Sequence, residues 1–408
     1  MTALRLPDTA RVARFATVPA GTFLLVLPIT HTVAIRTISL GLLALCAGYV
    51  WWRERPPPPP RYLLVAMAAW SGIAIASLLW TIDFEYSQGE VRNEVVYPLL
   101  AFFSFYALTR GEDRWRVWLR VMVVSAGAIA VYAFANFARH ADWYTKAYVG
   151  DRNAYSTYAT LIAPVLLVAM LDRGRGTRWR IVAFVGLVLT LGAGALTQNR
   201  MMWPALVVAA LILLATRFRW RAASRGGRTA VVVAVLALGA AGGAQIVAVS
   251  GQKTLAPGAA TLGARLEGDP RPRIWGYAVQ RAAERPWLGY GYGRGILRKD
   301  FDAHFGDELY WHSHNMFLNC ALGGGVLLLG AFVAMLGALA HALWRGSRDW
   351  TDGARAAYAL ALAVLAAAIV KSLTDDILIR ETSLLLWSLL GMGFGRASAA
   401  SGRSAQDV

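Results

Sequence analysis

Runs of about twenty apolar residues, the length a helix needs to cross a bilayer core, recur from one end of the chain to the other. In lipid such a run satisfies its backbone N–H and C=O groups by coiling into an α-helix. Twelve runs can be placed, near 15–30, 32–51, 62–80, 93–109, 118–137, 154–171, 180–196, 201–216, 229–249, 315–343, 355–372 and 382–395. The expected class is therefore an all-α polytopic membrane protein with about twelve transmembrane helices. Composition excludes the alternative of a large soluble domain. With 57% hydrophobic and 16% charged residues over 408 positions, too little polar surface remains to cover one.

The polar connections alternate in charge. One set, at 53–61, 110–120, 172–180, 217–228 and 345–355, holds nineteen Lys and Arg. The other, at 81–90, 139–153, 197–199 and 374–382, holds four. The positive-inside rule places the first set and both termini in the cytoplasm, as an even number of spans requires. Arg5, Arg11 and Arg14 lead straight into an apolar run with Pro19 and Gly21, which reads as a retained first span rather than a cleaved leader. The net charge of +17 punctuates apolar segments instead of forming a stripe, and no nucleic-acid motif accompanies it. Cys46 and Cys320 each fall inside an apolar stretch, where they pack as small hydrophobes and imply no disulfide framework.

The organisation that follows is spans one to nine over 1–249, one long outer loop over 250–313, spans ten to twelve over 314–396 and a cytoplasmic tail over 397–408. The loop opens with GQKTLAPGAATLGARLEGDP, a flexible entry. RPRIWGYAVQRAAERP (271–286) then places Ile274, Tyr277, Ala278 and Arg281 at helical spacing, and Pro286 ends the helix. GYGYGRG (289–295) is a glycine-rich turn, with no preceding strand that would make it a phosphate-binding loop. Long loops escape the charge bias, so the nine Lys and Arg here are compatible with an outer location.

Several groups of ionisable residues sit near the outer membrane face, three of them foremost. Arg200, in LTQNRMMWP, lies just inside an apolar boundary, where a charge faces a cavity or partner or else snorkels to headgroups. Arg271 and Arg273 open the loop helix and can offer guanidinium forks to phosphate, or stand as solvated surface charge. His312 and His314, in YWHSHNMFLN, lie where the loop re-enters the membrane. Partial burial favours a neutral, base-competent imidazole, while a structural role in an interfacial aromatic belt is the plainer reading. H-x-H spacing also binds metal, but no third ligand is near in sequence. Asp375 and Asp376 with Arg380 form the last outer loop, where an Arg–Asp pair stabilising the loop is favoured over a divalent-ion site. Asp83 and Glu85 in the first outer loop carry a weaker signal.

The order of these pieces resembles the O-antigen ligase family and its wider relatives, the O-antigen polymerases and membrane O-oligosaccharyltransferases. LTQNR ends in Arg200 before a span. RPRIWGYA opens the loop helix, PWLGYGYG follows, and His314-Asn315-Met316-Phe317-Leu318 closes the loop. The motif detail covers about 200–325, while the topology covers the whole chain. The resemblance implies a GT-C-like membrane glycosyltransferase of the bacterial inner membrane, with its site facing the periplasm and no cofactor or metal. Its implied partners are an undecaprenyl-pyrophosphate-linked glycan, lipid A–core oligosaccharide and membrane lipids, without nucleic acid. Carried over by position, Arg200 and either Arg271 or Arg273 look like pyrophosphate ligands and His314 like the essential histidine. His312, Asn315, Asp376 and Arg380 complete the expected substrate-facing set.

The implied reaction is transfer of glycan to an acceptor hydroxyl that His314 deprotonates or orients. An O-antigen polymerase shares these motifs and differs in its acceptor. A secondary transporter is the reading from another class; it calls for broken helices or charges within the membrane, which the sequence does not clearly offer.

Overall fold

The computed structural model describes residues 8–140, 143, 150–172, 174, 176–217, 239–248, 269–306, 310–349, 352–377 and 379–404. Helices α1 (Thr9–Phe15), α2 (Thr17–Val26), α3 (Val33–Glu54) and α4 (Arg61–Ala76) open the chain, with a 3₁₀ turn carrying α4 on to Leu79. Then come α5 (Phe84–Val91), α6 (Tyr97–Leu108), α7 (Glu112–His140), α8 (Arg152–Leu171), α9 (Thr177–Leu196) and α10 (Met202–Arg217). After a helix at 239–248 follow α11 (Arg271–Glu284), α12 (Arg298–Phe305), α13 (Met316–Asp349), α14 (Asp352–Lys371) and α15 (Arg380–Ser404). Among the described residues, seven helices are long and apolar enough to cross a membrane: α3, α4 with its 3₁₀ turn, α7, α8, α9, α13 and α14. The other predicted spans within those residues fall on the shorter α2, α6 and α10 and on α15. Most of the predicted ninth span and the loop entry at 250–268 lie outside the described residues, as does the tail past Ser404.

Close helix packing comes from small residues. A Cβ on Gly391 or Gly395 of α15 would come within 2.3 Å of the Phe102 or Tyr106 carbonyl oxygen of α6. The four-residue spacing puts both glycines on one face, so the two backbones meet directly, as small-residue faces allow in lipid. Beside this seam Trp70 stacks on Trp387, with centroids 5.7 Å apart, and Phe102 meets Trp387 edge-on.

Two elements depart from the sequence expectation. Residues 81–90, read as an outer loop, fold into α5, whose N-terminus Asp83 caps by accepting from the Tyr86 amide at 3.0 Å. A π-helical turn, Arg92–Val96, joins α5 to α6 and buries Glu94. The run near 315–343 is also no single rod. α13 breaks at Gly324 (φ −136°) and Gly325 (φ 63°, ψ −161°), a conformation open to glycine alone. The loop's own backbone fills the break: the Val326 amide donates to the Pro286 carbonyl at 2.8 Å.

The glycine-rich turn docks on the same helix. The Tyr290 and Gly291 amides donate to the carbonyls of Leu322 and Gly323, both at 2.8 Å. A Cβ on Gly289 would meet the Leu322 oxygen at 2.4 Å, so glycine is required for that approach. Beneath the turn Ile274 and Ala278 of α11, Phe301 of α12 and Leu322 of α13 share a small apolar core, as the helical spacing at 271–286 leads one to expect. Gly325→Ala should lower stability by about 1–3 kcal/mol, read from thermal unfolding in detergent. An unchanged midpoint would mean that the break is not held in this conformation.

Candidate active site

Arg200 reaches the loop through a short turn between α9 and α10. Thr197 Oγ1 donates to the Gly194 carbonyl at 2.6 Å and Gln198 takes a left-handed φ of 57°, which reverses the chain. Asn199 Oδ1 accepts from the Met201 amide at 3.2 Å and opens α10. Arg200 then donates to Asp269 Oδ2 at 2.7 Å, with both side chains largely covered. Asp269 also accepts from the Arg271 amide at 3.0 Å and from its guanidinium at 3.3 Å. Burial works against the charge on Asp269, but the Arg271 amide and the two guanidiniums outweigh it and hold the carboxyl below its usual range.

Two of the three expected arginines thus converge on one carboxylate that the sequence reading passed over. Arg273 does not share this arrangement and is exposed on α11. A second contact fixes α11 against the histidines: Trp275 Nε1 donates to the Ser313 carbonyl at 3.0 Å.

The histidine segment is tightly built. His314 has a left-handed φ of 50°, and its amide donates to His312 Nδ1 at 2.9 Å. The rings lie 3.9 Å apart between centroids. His312 is buried, and burial pushes its imidazole well below its ordinary value, with His314 and Arg294 adding to the effect. His312 is therefore neutral, with Nδ1 occupied as an acceptor, whereas His314 is only partly buried. Asn315 caps α13 through Oδ1, which accepts from the Phe317 and Leu318 amides at 2.9 and 3.1 Å. Its amide nitrogen donates to the Leu373 carbonyl at 2.9 Å.

The carboxylates of the last loop are not paired with Arg380, which is exposed. This corrects the favoured sequence reading. Asp375 Oδ2 accepts from Lys371 Nζ at 2.9 Å, and its Oδ1 accepts from Asn153 Nδ2 at 2.7 Å. Burial opposes charge on Asp375, but the Lys371 ammonium, two hydrogen bonds and His314 hold its carboxyl below the usual range. Asn153 Oδ1 in turn accepts from Lys371 at 3.2 Å and from Asn199 at 3.2 Å, so one polar chain links the Arg200 turn to the last loop. Asp376 accepts from Asn319 Nδ2 at 2.7 Å, and Asn319 Oδ1 is 2.6 Å from Ser313 Oγ. Lys371 is the last residue of α14, and the turn that follows brings Asp375 back to its ammonium.

A small cavity is lined by Glu94, Tyr292, Arg294, Asn319 and Asp376 among others. Arg294 lies over Trp311, 5.0 Å from the ring centroid. Among the described residues, no three His, Cys, Asp or Glu side chains converge as a metal centre. Sequence reasoning also missed Glu94, Lys371 and Arg294. Glu94 and Lys371 carried a usable signal, since each is an ionisable residue inside a predicted span.

Residues 185–333, from within α9 to the second part of α13, match the family model described as O-Antigen ligase. That segment contains Arg200, Asp269, Arg271, His312 and His314. No curated protein matches the chain. Ordered from the Arg200 turn through the loop helix to the histidine segment, these residues all lie in the stretch that matches the O-antigen ligase family model, which covers about a third of the chain.

Proposed function

We propose that the protein is an O-antigen ligase that moves a glycan from undecaprenyl pyrophosphate to lipid A–core oligosaccharide, at a site on the periplasmic face of the inner membrane. The observation that carries this reading is the convergence of Arg200 and Arg271 on Asp269, from a helix that Trp275 ties to Ser313 between the two histidines. Two guanidiniums sharing one carboxylate have the geometry to share a phosphate oxygen instead. Asp269 occupies the position that a pyrophosphate would take, and the donor would displace it.

In the reaction an acceptor hydroxyl attacks the anomeric carbon, and a new glycosidic C–O bond forms as the C–O bond to pyrophosphate breaks. The hydroxyl proton passes to the imidazole of His314, the more accessible histidine. The bonding pair leaves with the pyrophosphate, where Arg200 and Arg271 stabilise the growing charge. His312, neutral and buried, holds the His314 backbone through its ring nitrogen. Arg273, exposed on the same helix, is available to a longer donor.

Broken helices and buried charges also occur in secondary transporters. Here, however, the break in α13 is filled by the backbone at Pro286 and Trp287.

The test is transfer by purified protein, supplied with undecaprenyl-pyrophosphate glycan and lipid A–core, with and without EDTA, and read as a product shift on a gel. Glycan on lipid A–core, unchanged by EDTA, is expected. Extension of the donor instead would make the protein a polymerase, and absence of both products would overturn the reading. His314→Ala is expected to slow transfer by about 10²–10⁴-fold while the protein remains folded.

A further inference from the structure

The turn after α11 exposes what a solvated loop would cover. Trp287 is 67% exposed and Leu288 44% exposed. They continue a surface formed by Leu79, Phe84, Val326 and Leu327, all exposed. The contacts are specific. Trp80 Nε1 donates to the Leu288 carbonyl at 2.6 Å, and the Val326 amide donates to Pro286.

Two helix lengths place this turn relative to the bilayer. The span Arg61–Leu79 covers about 28 Å at 1.5 Å per residue, close to a whole hydrocarbon core, and it ends beside Leu288. From Val326 to its end at Asp349, α13 covers about 36 Å, enough to cross without its first part. Both measurements put Pro286–Leu288 at the hydrocarbon boundary on the His314 side of the bundle. Arg285, exposed, lies beside the turn with its guanidinium over Tyr290, 4.8 Å from the ring centroid. An aromatic residue next to an aliphatic one, with a cation alongside, is the chemistry of an interfacial anchor.

We propose that the Pro286–Leu288 turn is inserted in the membrane, with Trp287 and Leu288 among phospholipid acyl chains and Arg285 at the level of the headgroup phosphates. The lipid-facing surface of α4 and α13 continues into the turn without a polar interruption at Leu79, Val326 and Leu327, which is why lipid rather than a protein partner covers it. The loop is then held at a set depth and does not stand clear of the bilayer.

Leu288→Cys, carrying a nitroxide, would be studied in the full chain in phosphatidylethanolamine–phosphatidylglycerol nanodiscs. The native Cys46 and Cys320 are buried and are replaced by Ala if they react. Collision with oxygen against a water-soluble nickel chelate should favour oxygen several-fold more at 288 than at Gln280→Cys on the exposed face of α11. It should approach the value at Val333→Cys on the lipid face of α13. Equal nickel access at 288 and 280 would overturn the proposal. Should the Cys variant fail to fold, an acyl-chain diazirine phospholipid used on the wild type should leave adducts on the tryptic peptide 282–294, and their absence would overturn it as well. Neither readout requires glycan transfer, so the anchor stands or falls apart from the proposed activity.

Discussion

Lys371→Met is expected to cost the protein about 3–5 kcal/mol, read as a large fall in the thermal midpoint in detergent. The ammonium is fully buried and its removal leaves Asp375 as an uncompensated buried charge. The Lys371→Met/Asp375→Leu double variant should recover much of that loss, because a buried ion pair replaced by apolar groups of similar volume is often neutral. Asn153, which binds both partners, limits the recovery by losing its bonds to each. A single variant as stable as the wild type would show that the pair does not hold the last loop. The pH dependence has a definite sign. Asp375 is held below its usual range, so its contribution is fully present above the unfolded value of about 3.9 and is lost as pH falls through the lower folded value. The midpoint should therefore be insensitive to this group between about pH 5 and 8 and drop only in stronger acid.

The second large effect concerns chemistry. If Arg200 stabilises a departing pyrophosphate, Arg200→Ala should lower the transfer rate by about 10²–10³-fold. Arg200→Lys should recover little, since an ammonium cannot offer the paired donors of a guanidinium. Asp269→Asn separates a structural from a chemical role. It weakens the contacts between α11 and the Arg200 turn while leaving both guanidiniums in place. Equal rate losses in Arg200→Ala and Asp269→Asn, with equal losses of stability, would reduce Arg200 to a structural tie. A much smaller rate loss in Asp269→Asn supports the pyrophosphate role.

Periodicity made the loop helix legible because Ile274 and Ala278 had to face one core, and hydropathy made the membrane helices legible because lipid admits few alternatives. The break in α13 was hidden, since Gly323, Gly324 and Gly325 lie inside a run whose apolar character stays high on both sides. Only the three-dimensional approach of Pro286 shows why the helix opens there. α5 escaped for the opposite reason: its residues are polar enough to pass as a loop, and Asp83, a weak site candidate by sequence, serves as the helix cap. At the site, Arg200, Arg271 and the histidines could be picked out by residue type and order. Asp269 could not, because a carboxylate in the loop entry, two residues after Glu267, looks like solvated surface until two arginines are seen to share it. Arg271 rather than Arg273 makes that contact because the Asp269 carboxylate accepts the amide two residues on, where the helix begins.

The Val326 amide has a consequence for how the chain is made. A helix broken at Gly325 leaves a donor that costs several kcal/mol if it enters hydrocarbon without a partner. Its acceptor, the Pro286 carbonyl, belongs to residues synthesised earlier, and so does the turn that docks on Leu322 and Gly323. When α13 leaves the ribosome, the residues that complete it have already been made. Assembly from the N-terminal side can then proceed without exposing that amide to lipid. A circularly permuted chain that delivers α13 before residues 271–295 would lose this protection.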